Sequence, residues 1–274
     1  MQQAFSWTRT PFHVLTGGLA VIFLFPLVWS AIASVSPQPA TGQVVGYGFG
    51  NYLTLLNFQA GLWQFLVNSA IVSLITVSVT LAVSILGGYA FARFSFRGKD
   101  ALFLLTLAIL MVPYATLLIP LYVLLRTLGL QDSLLGLSLV LAMYQLPFAV
   151  FMMRISFEAV PREIEESALV DGAGTFQVLR RILVPAVVPG IITVGLFAFL
   201  AAWNDFFGPL ILISDPEKQP LPLAIAVLRQ QTMGAIDYGA TEAGVVVMAV
   251  PCLILFILLQ RYYMRGFMSG AVKG

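Results

Sequence analysis

The chain has 274 residues, of which 59% are hydrophobic and only 9% charged, and its mean hydropathy is +0.95. A soluble globular chain carries about 25% charged residues, so this composition excludes one and predicts an all-α protein that crosses a membrane several times. The lone Cys252 excludes an internal disulfide framework. One His and one Cys fall short of the ligands that a metal site needs, so no metal is expected. No nucleic-acid partner is expected of this chain.

A short polar start with Arg9 precedes an apolar run, Phe12 to Val35, that is long enough to span at about 20 residues. Ala31-Ile32-Ala33 resembles a signal-peptide cleavage site, but the run exceeds the roughly 7 to 15 apolar residues of a signal core, so an uncleaved anchor is the better reading. Ser36 to Gly61 holds Pro37, Pro39 and glycines at 42, 46, 48, 50 and 61, which favour turns and predict an external loop. Leu62 to Phe91 is the second span, and its Ser73, Thr76, Ser78 and Thr80 suit contacts with neighbouring helices. Arg93, Arg97 and Lys99 follow as a basic loop of the kind retained on the cytoplasmic side.

Ala101 to Leu125 forms a third span, with Pro113 and Pro120 predicted to kink it. After a turn at Arg126 to Ser133, Leu134 to Met153 is the fourth span, predicted to be broken by Pro147. A fifth opens at Pro185 and Pro189 and runs to about Ile213, Ser214 to Tyr238 reads as a loop, and Gly239 to Leu259 is the sixth. Trp29, Trp63 and Trp203 fall near span ends, where amphipathic rings anchor helices at the interface.

Between the fourth and fifth spans lies the one long polar island, 154–185. Pro161 suits a first helical position, and Glu163 and Glu165 complement the positive end of a short helix from about Pro161 to Val170. Asp171-Gly172 ends that helix, because Gly reaches the left-handed conformation without a Cβ penalty, and Thr175 is placed to cap a second helix running toward Leu183. Val160, Ile164 and Ala168 recur every four residues as a narrow apolar stripe. With six spans and the N-terminus inside, eleven of the fourteen Lys and Arg residues fall on the cytoplasmic side, leaving only Arg126, Lys218 and Arg229 outside. That bias predicts a multi-pass protein with both termini, and the island, in the cytoplasm.

The island resembles the cytoplasmic coupling loop of ABC importer permeases, in which an E-A-A segment is followed by Gly and, some ten residues later, by I-x-L-P. The matching residues are Glu166-Ser167-Ala168, Gly172 and Ile182-Leu183-Val184-Pro185, with Ser167 and Val184 departing from the pattern. The similarity extends through Gly88-Tyr89-Ala90-Phe91-Ala92-Arg93, Ile119-Pro120-Leu121-Tyr122, Trp203-Asn204-Asp205-Phe206 and the tail Gln260-Arg261-Tyr262-Tyr263. These segments look like the carbohydrate importers of the maltose and glycerol-3-phosphate type, and this chain like the shorter permease of the pair. Glu242 departs, standing where relatives carry a small or apolar residue.

The resemblance implies a type I importer permease, one domain over 1–274, in a bacterial cytoplasmic (inner) membrane. It would translocate a sugar or sugar-like solute with a second, different permease, two ATP-binding cassette ATPases and an extracytoplasmic solute-binding protein. The chain would have no catalytic residue and no cofactor of its own, ATP and Mg being bound by the ATPase. Glu163, Glu166, Ser167, Ala168, Asp171 and Gly172 would form the ATPase-coupling surface. Asn204 and Asp205 are candidates for the translocation path, since intramembrane acids are costly enough to suggest function; the ordinary alternative, a helix-end contact at the interface, is the preferred reading. An ion-coupled secondary carrier is the competing class, and it would need intramembrane acids or an internal repeat that the sequence does not clearly display.

Overall fold

The structure, a computed structural model, describes residues 10–37, 46–231 and 237–271. Four of its helices are long and apolar enough to cross a membrane: His13–Ser34, Leu62–Arg93, Leu134–Glu158 and Tyr238–Gln260. Two more spans arise if each of two bent helix pairs counts as one, giving the six that the sequence predicts.

Residues 63–224 and 251–274 make up one compact unit. Helix α1 is Thr10–Ser34 and α2 is Gly50–Leu56, and this unit begins with α3, Leu62–Arg93. Next come α4 (Lys99–Ala108), α5 (Tyr114–Thr127) and α6 (Leu134–Glu158). The third span is not merely kinked: the helical segment Lys99–Met111 meets Tyr114–Thr127 at 103°. The break falls at Val112, extended at φ −87° and ψ 123° ahead of Pro113, because the proline ring clashes with a helical preceding residue. Pro120 stays inside α5.

Helix α6 is the axis of this unit, with eleven of its 25 residues buried; it is not broken at Pro147, which sits buried inside one continuous helix. One core joins its Ala149, Met153 and Phe157 to Tyr89 of α3 and to Leu183 and Val194 further along the chain. A second joins Leu137 and Val140 to Val72, Leu118 and Leu212. A third sets Val150 against Phe91 and Phe103. Along α3 the buried Ser69, Ser73, Thr76, Thr80 and Ser84 recur every three or four residues, small polar side chains of the sort that let membrane helices approach closely. Thr76 Oγ1 donates to the Ser138 carbonyl of α6 at 3.2 Å. Near the far end of α3 lies Gly88, where a Cβ would come within 2.5 Å of Met153 Cβ and 2.9 Å of Arg154 N.

At the other end of α6, Ser133 caps the helix by accepting from Gly136 N at 3.0 Å. Asp132 Oδ1 accepts from Ser214 N and Asp215 N at 2.8 and 3.2 Å, and Lys218 Nζ bridges Asp132 and Asp215 at 3.5 and 3.3 Å. Partial burial pushes the Asp132 carboxyl up, but the two backbone donors and Lys218 outweigh it and hold it below the usual carboxylate range.

The described residues within 1–62 and 225–250 form the other compact unit. Its tie point is Asn51, fully buried, whose Nδ2 donates to the Ser34 and Ser36 carbonyls, each at 2.9 Å. Helix α1 keeps Val14, Val21, Phe23 and Trp29 exposed. The segment 214–238 is not all loop, since a helix of 11 residues, Leu221–Gln231, runs through it. Arg9 and Lys273, two of the bases assigned to the cytoplasmic side, lie outside the described residues, as do the side chains of Arg261 and Arg265.

Candidate functional site

The polar island begins where α6 stops. Ala159 caps α6, and Pro161, extended at φ −55° and ψ 137°, holds the N-cap of helix α7, Arg162–Val170, one position before the first helical place predicted for it. At its far end the Ala173 N–H donates to the Ala168 carbonyl at 3.0 Å and the Gly172 N–H to Leu169 at 3.1 Å. This pair of bonds is a Schellman closure, which requires a left-handed residue between helix and exit chain, and Gly172 supplies it at φ +86°. Nothing lies within 4 Å of where its Cβ would be, so the demand for glycine here is conformational, not steric.

Thr175 does not cap the next helix. Gly174 occupies the cap position without a side-chain bond, and α8 is only Thr175–Val178. A π-helical turn, Leu179–Leu183, follows. It leads into α9, Val184–Ala186, and then α10, Val188–Trp203, which leaves at 78° to the helical stretch Thr175–Ala186. Pro185 and Pro189 each lack the N–H that would carry a continuous helix through the bend. The π turn buries Leu179 and Leu183 and leaves Arg180 and Arg181 exposed.

None of the nine residues of α7 is buried. The stripe predicted at 160, 164 and 168 is only partly realised: Val160 and Ala168 pack against the first core, but Ile164 is 46% exposed. The reason is that the helix starts at Arg162, so Val160 lies outside its periodicity and the inward positions become Glu165 and Ala168. Glu163, Glu166, Ser167, Asp171 and Gly172 are exposed, while Ala168 is half-buried. Large apolar side chains also face out: Ile164, Leu169, Val170 at 87% and, one turn past Gly172, Phe176 at 70%.

Glu165 is the residue that sequence reasoning missed. Its Oε1 accepts from the Tyr89 hydroxyl at 2.7 Å, and its Oε2 lies 3.1 Å from Arg93 Nε. The Nε–H is not aimed well enough for a hydrogen bond, so that contact is an ion pair. Nη2 of the same guanidinium donates to the Val160 carbonyl at 2.8 Å. Tyr89 and Arg93 stand four apart, on one face of α3, a spacing visible in the sequence. Its partner was not, because nothing local singles out Glu165 from Glu163 and Glu166. A cleft of about 510 Å³ lies alongside, lined by Arg93, Lys99, Glu158, Arg162 and Glu163 among others.

The other candidates are elsewhere. Asn204 caps α10 and its Nδ2 donates back to the Leu200 carbonyl at 2.8 Å. Asp205 Oδ2 accepts from Gly208 N at 3.0 Å, at the start of α11 (Phe207–Leu212), and from the Tyr114 hydroxyl at 3.2 Å. The Tyr114 ring sits 5.0 Å from that of Tyr144. The fifth span therefore ends at Trp203, not Ile213, and Trp203 is buried and stacked on Phe199 at 5.4 Å instead of joining an interfacial belt. Among the described residues no group of three or more His, Cys, Asp or Glu side chains could hold a metal ion.

Residues 84–266 match the family described as the inner membrane component of binding-protein-dependent transport systems. The chain belongs to that family. It is thus a transport component of the inner membrane, the permease subunit of an ABC importer. It is 32% identical to the diacetylchitobiose uptake system permease protein DasC of Streptomyces coelicolor, over 98% of this chain and 97% of the relative. The trehalose/maltose transport system permease protein MalG of Thermococcus litoralis is 28% identical over 93% and 94% of the two chains. Among solved structures, a chain of a bacterial ABC transporter that imports alginate superposes with a TM-score of 0.78 at 23% identity, over 96% of this chain and 100% of that one. At that identity the likeness speaks for the fold.

Proposed function

We propose that this permease passes a sugar or sugar-like solute, in partnership with a second, different permease, and that α7 is where ATP-hydrolysing subunits dock. ATP and Mg belong to those subunits; this chain adds no catalytic group or cofactor and moves its helices in response. An extracytoplasmic solute-binding protein hands over the cargo. Support for the sugar comes from relatives whose names specify diacetylchitobiose and trehalose or maltose uptake.

The observation that carries the docking assignment is the exposed face of the island. Ile164, Leu169, Val170 and Phe176 stay in the open on a segment otherwise polar, and exposed apolar groups rimmed by charge mark protein interaction sites. The excess of bases on the same side supports a cytoplasmic position for this face, where ATP is available. Both termini are assigned there as well, and reporter fusions reading an external C-terminus would overturn that orientation.

The test is co-purification and transport in vesicles. Val170→Asp places a charge in the docking face without touching any span, and it should abolish recovery of the ATPase subunits while leaving the permease pair intact. Recovery of a permease homodimer that still transports would refute the heteromeric arrangement. Stimulation of ATP hydrolysis by a panel of loaded binding proteins would name the solute.

A further inference from the structure

We infer that Tyr89, Arg93 and Glu165 form a mechanical link that makes span α3 follow the movement of α7. The inference rests on the reading of α7 as the ATPase-docking helix, and it assigns the inward side of that helix a task that its outer face does not have.

Of the three acids on α7, Glu163 and Glu166 point into solvent, while Glu165 is turned inward with its side chain 13% exposed. Both of its oxygens are engaged, one by the Tyr89 hydroxyl and one by the Arg93 guanidinium. The Arg93 side chain is itself 5% exposed. It reaches past Glu165 to the Val160 carbonyl, so a single guanidinium holds both the strap entering α7 and the first turn of the helix. Tyr89 is fixed in turn by edge-on ring contacts with Phe157 and Phe94, at 5.6 and 5.4 Å. Charge-assisted bonds in a low-dielectric setting are the strong ones.

Packing alone would not join these helices firmly. No residue of α7 is buried, and its apolar support is Ala168 with its flanking Val160 and Ala173. The covalent route from α7 leads to α6 through Val160 and Pro161 and onward to α8 through the Gly172 turn. Through the Glu165 link, α7 is anchored at a second point, on the last turns of α3. A displacement of α7 then shifts the end of α3 together with that of α6; without the link α7 would tilt on its strap and α3 would stay. Tyr89 and Glu165 are therefore positioning residues for coupling, and neither needs to touch the ATPase.

The test uses the whole complex, both permeases with their ATPases and a solute-loaded binding protein, in vesicles. Tyr89→Phe removes one hydroxyl and Glu165→Gln one charge. Each should leave ATPase co-purification at the unaltered level and raise the number of ATP molecules hydrolysed per solute imported by roughly tenfold, within the 5- to 150-fold span of ordinary coupling free energies. Tyr89→Phe combined with Glu165→Gln should be no worse than the poorer single variant, since both cut one link. An unchanged ratio of ATP to solute would overturn the link. So would a fall in the amount of complex with that ratio intact, which marks a role in folding only. Loss of ATPase binding in Glu165→Gln would also overturn it, because Glu165 would then be a contact residue. If instead Val170→Asp leaves ATPase binding whole, the docking assignment fails first and the link falls with it.

Discussion

Helices α6 and α7 are consecutive in the chain and held in opposite ways. Helix α6 threads three apolar cores and buries eleven residues, whereas α7 buries none and is fastened by one carboxylate, a strap and a glycine closure. A helix held by packing spreads its stability over many small contacts, so loss of any one is shared. A helix held by polar ties concentrates it in a few atoms. The difference suits a spanning axis that keeps its shape, and beside it a helix that, in the docking role proposed for it, has to move as a body without dissolving.

Substitutions that attack α6 should therefore act on the fold, and those that attack α7 on coupling. The largest effect is expected from Gly88→Val. Its added atoms meet the Met153 and Arg154 backbone, which no rotamer change can relieve, so the cost should exceed the roughly 1–3 kcal/mol usual for overpacking. Thermal unfolding in detergent and yield from the membrane would register it, and normal yield would show that α3 and α6 are less closely joined than described.

Next comes the coupling pair. Gly172→Val puts a β-branched residue at φ +86°, a strain of about 1 kcal/mol or more that redirects α8, and Glu166→Lys reverses a charge on the exposed face. Both should insert normally, since neither lies in a span, while transport and ATPase recruitment fall together. If each retained both activities, the island would be an ordinary solvated loop and the contrast with α6 would lose its functional meaning.

The smallest effect belongs to the far end of α6. Asp132 titrates below its ordinary range in the fold, so its contribution is complete above about pH 3.9, the unfolded value, and is lost as the pH falls through the folded one. Protease cleavage near residues 214–218 should increase over that acid interval, and Asp132→Asn should be loosened already at neutral pH with no further change on acidification. An unaltered pH profile in Asp132→Asn would assign the acid response to other groups.

Much of this was legible in the sequence, for physical reasons that can be named. Span length is a matter of counting apolar residues, and Gly172 announced its left-handed turn because few residues other than glycine occupy one cheaply. What stayed hidden depended on partners distant in the chain. Val112 turns a kink into a 103° break, and the run to Ile213 conceals a stop at Trp203, because α11 is as apolar as the span before it. Asp205 looked exceptional by its charge, yet its oxygen is taken by Gly208 N and Tyr114. Glu165 looked ordinary, and only the arrival of α3 from 72 residues upstream, counted from Arg93, distinguishes it from its neighbours.

The approach of Gly88 to Met153 and Arg154 has a mechanical meaning beyond its tolerance for mutation. Where leucines or methionines separate two helices, a small shift of one is taken up by rotamers and arrives at the other diminished, like motion through worn gears. At Gly88 backbone meets backbone with no side chain of α3 between them. There is no play at that point. Whatever displacement reaches the Arg93 end of α3 must be answered by α6 at once, so the two spans turn as one lever, with its pivot at Gly88, five residues before Arg93.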